Sequence, residues 1–352
     1  MRSKRLWLLV IIPLALFAWA YQAASWRPKL VGVQEVSPSF VRTTTSGLWP
    51  FGSWLLISPD GKYLASVAVL KGHDSLSLWA LDKNEKLWQL TPKNRRRVPL
   101  AFAPDSQTLA LVTADGRLGF SDVSVILVDA ATGKQRGPQM LASRDTQFLQ
   151  STAFLTPREL VISTNQRTTI ADTKSGKAVG KWGFDSATFH EDPKMMLNAQ
   201  SHVSADGKTV LALANGKSDT RVFVYDSQTG KLRGQWTYPR VFRNPRLSPD
   251  GKLWAMQQEK NSIWEIYDAV TGQKIWWEFV SVEDGRWWDW NTNSQHIVNS
   301  FGGYVTIFNA RQGTHIAELP ALNLSQVLVV DPKGNYFYTL DPTGKIQRWR
   351  AR

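Results

Sequence analysis

Short apolar stretches separated by turn residues follow one another along most of the chain. Residues 62–69 (KYLASVAV) and 208–215 (KTVLALAN) show the pattern, since each is rich in aliphatic side chains and directly follows a turn that contains Asp and Gly. Apolar or alternating runs of this kind, bounded by turn signals, are typical of β-strands. The pattern therefore predicts an all-β protein with many short strands.

One turn motif recurs in front of these stretches. It reads SPDG from residues 58 and 248, APDS from 103 and SADG from 204, with weaker copies from 156, 291 and 331. Pro presets φ, Asp accepts backbone N–H groups and Gly adopts a positive φ, so each copy predicts a hairpin turn. The copies lie 40 to 53 residues apart, and a period near 45 is typical of a four-stranded propeller blade.

A second turn lies later in each unit. Its pattern is Asp, two variable residues, Thr or Ser, and Gly, and it begins at residues 129, 172, 226 and 268, with a weaker copy from 309. A second hairpin gives each unit four strands. We therefore predict a seven-bladed β-propeller of four-stranded antiparallel blades over residues 39–352. The last unit lacks its outermost strand, and we expect residues 39–46 to complete it, which would close the ring and tie both ends of the chain together.

The turns, together with the stretches LSLWALD (76–82) and IQRWR (346–350), resemble the bacterial WD-repeat and quinoprotein-like propellers. This resemblance implies a diverged WD-repeat protein that binds protein partners. Residues 268–276 (DAVTGQKIW) resemble in addition the tryptophan-docking repeat of pyrroloquinoline-quinone propellers and of their non-enzymatic outer-membrane assembly relatives. Trp182 and Trp236 follow their turns two positions later than Trp276 does. The alternative interpretation is a tight turn followed by a Trp that packs between blades.

The N-terminus carries a different signal. A basic cluster at residues 1–5 precedes LWLLVIIPLALFAWA (6–20), which contains no charge. This combination is typical of an export signal. We predict one N-terminal apolar helix over residues 1–21, either cleaved after Ala20 or retained as a membrane anchor through residues 6–21, followed by a juxtamembrane stalk over 22–38. Because the positive end of such a segment stays inside, the rest of the chain is expected outside the cytoplasm, in the periplasm or at the cell surface.

Charge and composition narrow the possible partners. The net charge is +13, which beside a membrane favours anionic lipid or acidic partners. The charges are scattered, with one dense run at Arg95–Arg97, so we do not expect nucleic-acid binding. The chain contains no Cys, which excludes disulfides, thiol nucleophiles and Cys-based metal or iron–sulfur sites.

No catalytic arrangement stands out in the sequence. The five His residues have no metal-ligand spacing, and neither a Gly-rich phosphate loop nor a GxSxG motif is present. We therefore predict a protein-binding scaffold without catalytic residues, bound metal or cofactor. The alternative is a propeller enzyme or small-ligand-binding protein that uses the mouth of the central channel.

Two groups of residues are candidates for binding. His202, Arg246 and Asp289 each lie two positions before the start of the first turn in three consecutive units, a level that approaches the central channel of a propeller. They are expected to bind a small anion or to form a buried hydrogen-bond network.

The second group is aromatic and lies in residues 276–290. Trp288 and Trp290 should pack on one inter-blade face, because alternate residues of a strand point to opposite sides. Trp277 and Trp287 are the candidates for an exposed partner surface, since aromatic side chains make strong anchors.

Overall fold

The computed structural model of the protein describes part of the chain. The described residues are 29–35, 55–70, 73–91, 95–115, 123–141, 149–164, 167–183, 200–258, 263–279, 287–290, 294–301, 304–320, 327–332, 336–340 and 345–350. Within these ranges the strands, numbered β1–β28 in chain order, form seven four-stranded antiparallel sheets. Each sheet is called a blade below.

The strands of each blade are given from its innermost to its outermost member. Blade 1 comprises β2 (Leu55–Ile57), β3 (Tyr63–Leu70), β4 (His73–Ala80) and β5 (Glu85–Leu90), and blade 2 comprises β6 (Arg95–Phe102), β7 (Thr108–Asp115), β8 (Ser124–Asp129) and β9 (Gln135–Leu141). Blade 3 comprises β10 (Leu149–Thr156), β11 (Glu159–Thr164), β12 (Arg167–Asp172) and β13 (Ala178–Gly183). Blade 4 comprises β14 (Gln200–Val203), β15 (Thr209–Asn215), β16 (Thr220–Asp226) and β17 (Leu232–Tyr238).

The remaining blades follow the same order of strands. Blade 5 comprises β18 (Phe242–Leu247), β19 (Leu253–Gln258), β20 (Ile263–Asp268) and β21 (Lys274–Phe279). Blade 6 comprises β22 (Trp287–Trp290), β23 (His296–Phe301), β24 (Tyr304–Asn309) and β25 (His315–Pro320). Blade 7 comprises β26 (Val327–Val330), β27 (Tyr336–Leu340), β28 (Lys345–Arg350) and β1 (Lys29–Glu35).

The fold-class prediction, a helix in front of a propeller that begins at residue 39, is wrong, because the propeller already includes residues 29–35. Among the described residues there is no helix, and hence none that could span a membrane. Their first element is β1, which lies inside the segment predicted as a stalk (22–38) and pairs antiparallel with β28. The predicted helix (1–21) and the predicted strand (39–46) lie outside the described residues.

The position of β1 also corrects the prediction of which residues complete the last blade. Residues 29–35, and not 39–46, supply the outermost strand of blade 7. The strand spacing of the other units, applied in front of Ser58, would put this strand at residues 39–46. That spacing does not apply here, because residues 36–54 separate β1 from the first strand of blade 1.

Strands in the middle of a blade are apolar at nearly every position because both of their faces are covered. In β15, Val210 and Ala212 pack in a cluster with residues of blade 3, whereas Leu211 and Leu213 pack in a cluster with residues of blade 5. Each hydrophobic cluster of the described core likewise spans two neighbouring blades. The core therefore lies between the blades.

The first and last blades contact each other. Strand β26 contacts β2, and one hydrophobic cluster contains Leu55 and Leu64 of blade 1 together with Tyr338 and Ile346 of blade 7. The sheets therefore form a closed ring.

The first turns link neighbouring blades through hydrogen bonds in three described places: one joins the Asp206 backbone N–H to the Pro249 carbonyl at 3.1 Å, and the other two involve a Ser. At the position where other copies have Gly, Ser106 and Ser294 adopt a positive φ of 61°. Their hydroxyl groups accept the backbone N–H of Asp60 (3.1 Å) and Asp250 (3.0 Å) in the preceding blade. A positive φ is unfavourable for a non-Gly residue, and at these two Ser residues the hydrogen bond between blades offsets part of that cost.

The same turns hold their Asp side chains tightly. Asp60 Oδ1 accepts the Ser58 hydroxyl at 2.7 Å and the Lys62 backbone N–H at 3.0 Å. Burial alone would raise the pKa of Asp60, but these hydrogen bonds outweigh it and lower the pKa below its ordinary value. The charged form of the side chain therefore stabilises the turn.

The second turn receives an aromatic side chain from the preceding blade. The Gly residues of this turn have φ of 66° to 69°, and four of them lie directly against an indole ring: Gly133 against Trp88, Gly230 against Trp182, Gly272 against Trp236 and Gly313 against Trp276. A side chain at these Gly positions would occupy the volume of the ring. The turn Gly is thus required for its backbone conformation and for the close approach of the ring.

Three of these indoles also form a hydrogen bond to the neighbouring blade. The Nε1–H groups of Trp88, Trp182 and Trp276 donate to the carbonyl groups of Ala130 (2.8 Å), Ser227 (2.9 Å) and Ala310 (2.9 Å). Trp182 and Trp276 thus dock in the same way although their sequence spacing differs. A shift of two positions along a strand keeps a side chain on the same face, which explains why both spacings work.

The docking of Trp236 generates the first testable prediction. A Cβ atom on Gly272 would lie 2.1 Å from Nε1 of Trp236, whereas on Gly61 it would lie 3.5 Å from the nearest side-chain atom, Cδ of Pro332. Both Gly residues have positive φ, so Gly61→Ala isolates the backbone cost of about 1–2 kcal/mol. We expect Gly272→Ala to reduce the free energy of unfolding by a further ~1–3 kcal/mol because the ring must move. Urea unfolding of the two variants measures the difference, and equal losses would contradict the docking argument.

Candidate functional site

The structure places the three predicted channel residues at one level of consecutive innermost strands. His202 pairs with Leu211 in blade 4, Arg246 with Ala255 in blade 5 and Asp289 with Val298 in blade 6, and these are equivalent register positions. The side chain of Asp289 lies outside the described part of the structure. The described contacts of this level therefore come from His202 and Arg246.

His202 links blades 4 and 5 through a hydrogen bond. Its Nδ1 atom accepts the backbone N–H of Leu247 at 3.2 Å, so the proton of the neutral ring is on Nε2. Burial, and secondarily the positive charge of Arg246, lower the pKa of His202 to about 3. At neutral pH the ring is therefore uncharged.

A similar link joins blades 3 and 4. There the hydroxyl of Ser151 accepts the backbone N–H of Val203 at 2.9 Å. In both places a side chain of one innermost strand satisfies a backbone donor of the next. The contact of His202 thus belongs to the hydrogen bonds between blades, and anion binding at this level stays a prediction.

A buried carboxylate that the sequence analysis missed lies in blade 5. Glu265 on β20 is 2% exposed. Its Oε1 atom accepts the amide of Gln258 at 2.8 Å, the guanidinium of Arg240 at 3.2 Å and the ammonium of Lys274 at 3.3 Å, and its Oε2 atom accepts the hydroxyl of Tyr267. A buried charge is tolerated when it is paired and hydrogen-bonded in this way.

Tyrosine residues enclose this carboxylate. Burial, and then the hydrogen bond to and the charge of Glu265, raise the pKa of Tyr267, and burial followed by the charge of Glu265 raises the pKa of Tyr238. Both hydroxyl groups therefore stay protonated as donors, and Tyr238 donates to the Gly272 carbonyl at 2.7 Å. The two rings lie 4.8 Å apart at the junction of blades 4 and 5.

The sequence contained one signal for this cluster. Glu265 interrupts an otherwise apolar third strand, and the residues three positions before the second turn in the other units that carry this turn are uncharged. These equivalents are Ile126, Thr169, Phe223 and Thr306. A carboxylate at a core position predicts nearby donors, although the sequence does not identify them.

In the aromatic segment the structure describes the side chains of Trp276, Trp277 and Trp290, so the predicted alternation of residues 287–290 stays a prediction. Trp290 is buried in the cluster between blades 5 and 6, as expected. Trp277 is 55% exposed on β21, where it pairs with Glu265. The side chain of Trp287 lies outside the described part of the structure. Of the two residues predicted to form a partner surface, Trp277 is therefore the one whose exposure the structure describes.

Trp277 belongs to a hairpin that is unusually apolar on its outside. The described part of the chain has five exposed large hydrophobic side chains, and three of them, Val270 (80%), Ile275 (37%) and Trp277, lie in the hairpin of β20 and β21. Trp276 between them points to the opposite side, against Gly313 of blade 6. This hairpin is the main apolar surface feature of the described residues.

The described residues contain no group of three or more His, Asp or Glu side chains arranged to hold a metal ion. No family model matches the sequence, and no curated protein matches it either. The class of the protein is therefore defined by its structure.

Solved structures with the same fold are found. The β-propeller domain of Cps50 (Swd1) from Myceliophteria thermophila has a TM-score of 0.64 at 14% identity and covers 92% of this chain and 100% of its own. A chain of the mitotic checkpoint complex has a TM-score of 0.64 at 12% identity and covers 92% of each chain. A chain of Kuenenia stuttgartiensis hydrazine synthase has a TM-score of 0.61 at 15% identity and covers 89% of this chain and 99% of its own.

At these identities the similarity concerns the fold alone. Together with the closed ring of four-stranded sheets, it identifies the protein as a β-propeller with WD-repeat-like structural neighbours.

The low pKa of His202 generates a second prediction. Between its ordinary value of 6.5 and about 3, the unfolded chain binds a proton that the folded protein does not. The contribution of the uncharged His202 ring to stability is therefore fully present above pH 6.5. As the pH decreases below this value, the free energy of unfolding falls by roughly 1 kcal/mol per pH unit. The lowered pKa values of the turn Asp residues act mainly below about pH 5.

Urea unfolding between pH 5 and 6.5 measures this slope, to which His296 also contributes because burial lowers its pKa as well. We expect His202→Asn, whose Oδ1 can replace Nδ1 as the acceptor, to remove most of this slope. The exposed His315 supplies the control, and His315→Asn should keep the wild-type slope. An unchanged slope in His202→Asn would show that the Leu247 hydrogen bond does not exclude the proton.

Proposed function

We propose that the protein is a non-catalytic interaction scaffold that binds a protein partner at its rim. The observation that carries this proposal is the exposure of Trp277 beside Ile275 and Val270 on one outer hairpin. An indole exposed on a rigid strand can enter a pocket of a partner with little loss of conformational freedom, and Trp is enriched among the residues that dominate binding energy.

A protein partner is consistent with the structural neighbours, which share the fold alone with this chain. One of them is a chain of an assembly, the mitotic checkpoint complex, and another is a Swd1 propeller domain. The similarity to hydrazine synthase concerns the fold alone and adds no argument for catalysis. His202 does not favour catalysis either, since its Nδ1 atom already accepts a backbone N–H.

We further propose that the propeller works outside the cytoplasm, beside a membrane. The support comes from the sequence, in which a basic cluster precedes an uncharged apolar segment at residues 6–20. In that location the net charge of +13 favours acidic proteins or anionic lipid headgroups as contacts.

The scaffold proposal predicts position-specific crosslinking. A photoreactive aromatic amino acid at position 277 of the full chain, irradiated in the native host, should capture one abundant protein. The same amino acid in place of Val179, which is 61% exposed on the outer strand of blade 3, is the matched control. Identical patterns at the two positions, or no crosslinked protein at position 277, would refute the proposal.

The location is tested by reporter fusion. A phosphatase that is active only outside the cytoplasm should be active when it follows residues 1–28 of this chain. The same reporter without residues 1–21 should be inactive. Equal activity of both fusions, or an inactive first fusion, would contradict export directed by residues 1–21.

A further inference from the structure

The outermost strand of blade 5 differs from the other outer strands in how its edge is protected against pairing with another chain. An outer strand presents unpaired backbone groups, and proteins usually protect such edges with charges, Pro, Gly or bulges. Most outer strands here carry such a residue: Gly32 in β1, Gly137 and Pro138 in β9, Gly180 in β13, Gly234 in β17 and Pro320 in β25. Strand β5 lacks Gly and Pro but exposes Glu85, Lys86 and Gln89.

Strand β21 (KIWWEF) has neither Gly nor Pro. The side chains that it exposes beyond its first residue include Ile275 and Trp277. Its first residue, Lys274, carries a charge of the kind that discourages strand pairing at an edge, but its ammonium group is bound to the buried Glu265. Beyond Lys274, the exposed side chains that the structure describes on this strand are therefore apolar, and the side chain of Glu278 lies outside the described part.

A net positive charge lies beside this edge. Arg240 and Lys274 both contact the single carboxylate of Glu265, and both are only about half buried. Two cations share one anion, which leaves one positive charge uncompensated within the cluster. Trp277 is the direct cross-strand neighbour of Glu265, so this charge lies next to the exposed indole.

We propose that β21 binds an extended, acidic segment of a partner protein, which adds to blade 5 as a fifth strand. The backbone of the segment pairs with the outer edge of β21, which no described strand covers, apolar side chains contact Ile275 and Trp277, and its carboxylates lie near Arg240 and Lys274. This mode is β-strand addition, in which main-chain hydrogen bonds supply affinity and alternate side chains supply specificity. The inference rests on the proposed function, whose partner class it specifies.

The test uses the full-length protein and a short fluorescent peptide that alternates glutamate with valine around one central phenylalanine. Fluorescence anisotropy should show binding that weakens as salt is added, because the charges are solvent-accessible. Trp277→Ala should weaken the affinity about tenfold, a typical effect for an anchor residue. Val179→Ala is the matched control and should leave it unchanged. Hydrogen exchange of residues 274–279 should slow when the peptide is bound.

Two modified peptides separate the parts of the proposal. Replacement of glutamate by lysine should abolish binding if the charge argument holds, and N-methylation of alternate residues should abolish it if the backbone pairs with β21. Binding of either peptide at the original affinity, or no binding of the first peptide, would overturn strand addition. Self-association that Trp277→Ala removes, or preferential binding of a single-stranded oligonucleotide, would overturn it as well.

Failure of this experiment is distinguishable from failure of the scaffold proposal. A partner captured at position 277 without peptide binding or slowed exchange would leave the scaffold in place and exclude strand addition. Thermal unfolding of Trp277→Ala controls for loss of folding, and the exposure of this side chain predicts an unchanged midpoint.

Discussion

Each four-stranded blade has two apolar faces and is too thin to bury either of them alone. Strand β15 shows this constraint directly, because its alternate side chains pack into the cores of two different interfaces. Burial of apolar surface is the dominant favourable contribution to folding, and here it is obtained only between blades. The closed ring follows, since an open row would leave two such faces in water.

This constraint also explains the contacts at other levels of the blades. Near the channel, His202 and Ser151 satisfy backbone donors of the next innermost strand. At the second turn, indole rings cover turn glycines and, in three cases, also bind a carbonyl group of the next blade. Repeated interface contacts of this kind define the angle between neighbours better than apolar packing alone, which is non-directional.

The repeat was readable from the sequence because turn chemistry is local. Asp, Gly and Thr at fixed offsets determine a hairpin wherever they occur, and the second turns form as their pattern predicts, with Asp226 accepting the backbone N–H and the hydroxyl of Thr229. The identity of the strand that completes blade 7 was not readable, because it depends on a connection of unusual length. The hairpin of blade 3 is also one residue shorter than the others, so the residue two positions before its turn, Phe154, is not equivalent to His202, and Ala153 takes that register position instead.

The Glu265 cluster was hidden for a related reason. Its donors come from β19, β20, β21 and the connection that precedes β18, and only the packing of the ring brings them together. A carboxylate placed there would be costly without them, so the cluster holds Arg240 and Lys274 at the junction of blades 4 and 5. The same ion pairs bind the Lys that would otherwise protect the edge of β21. Internal pairing and external exposure thus lie side by side: the contact that stabilises the junction engages Lys274, while the indole of Trp277 next to it is exposed.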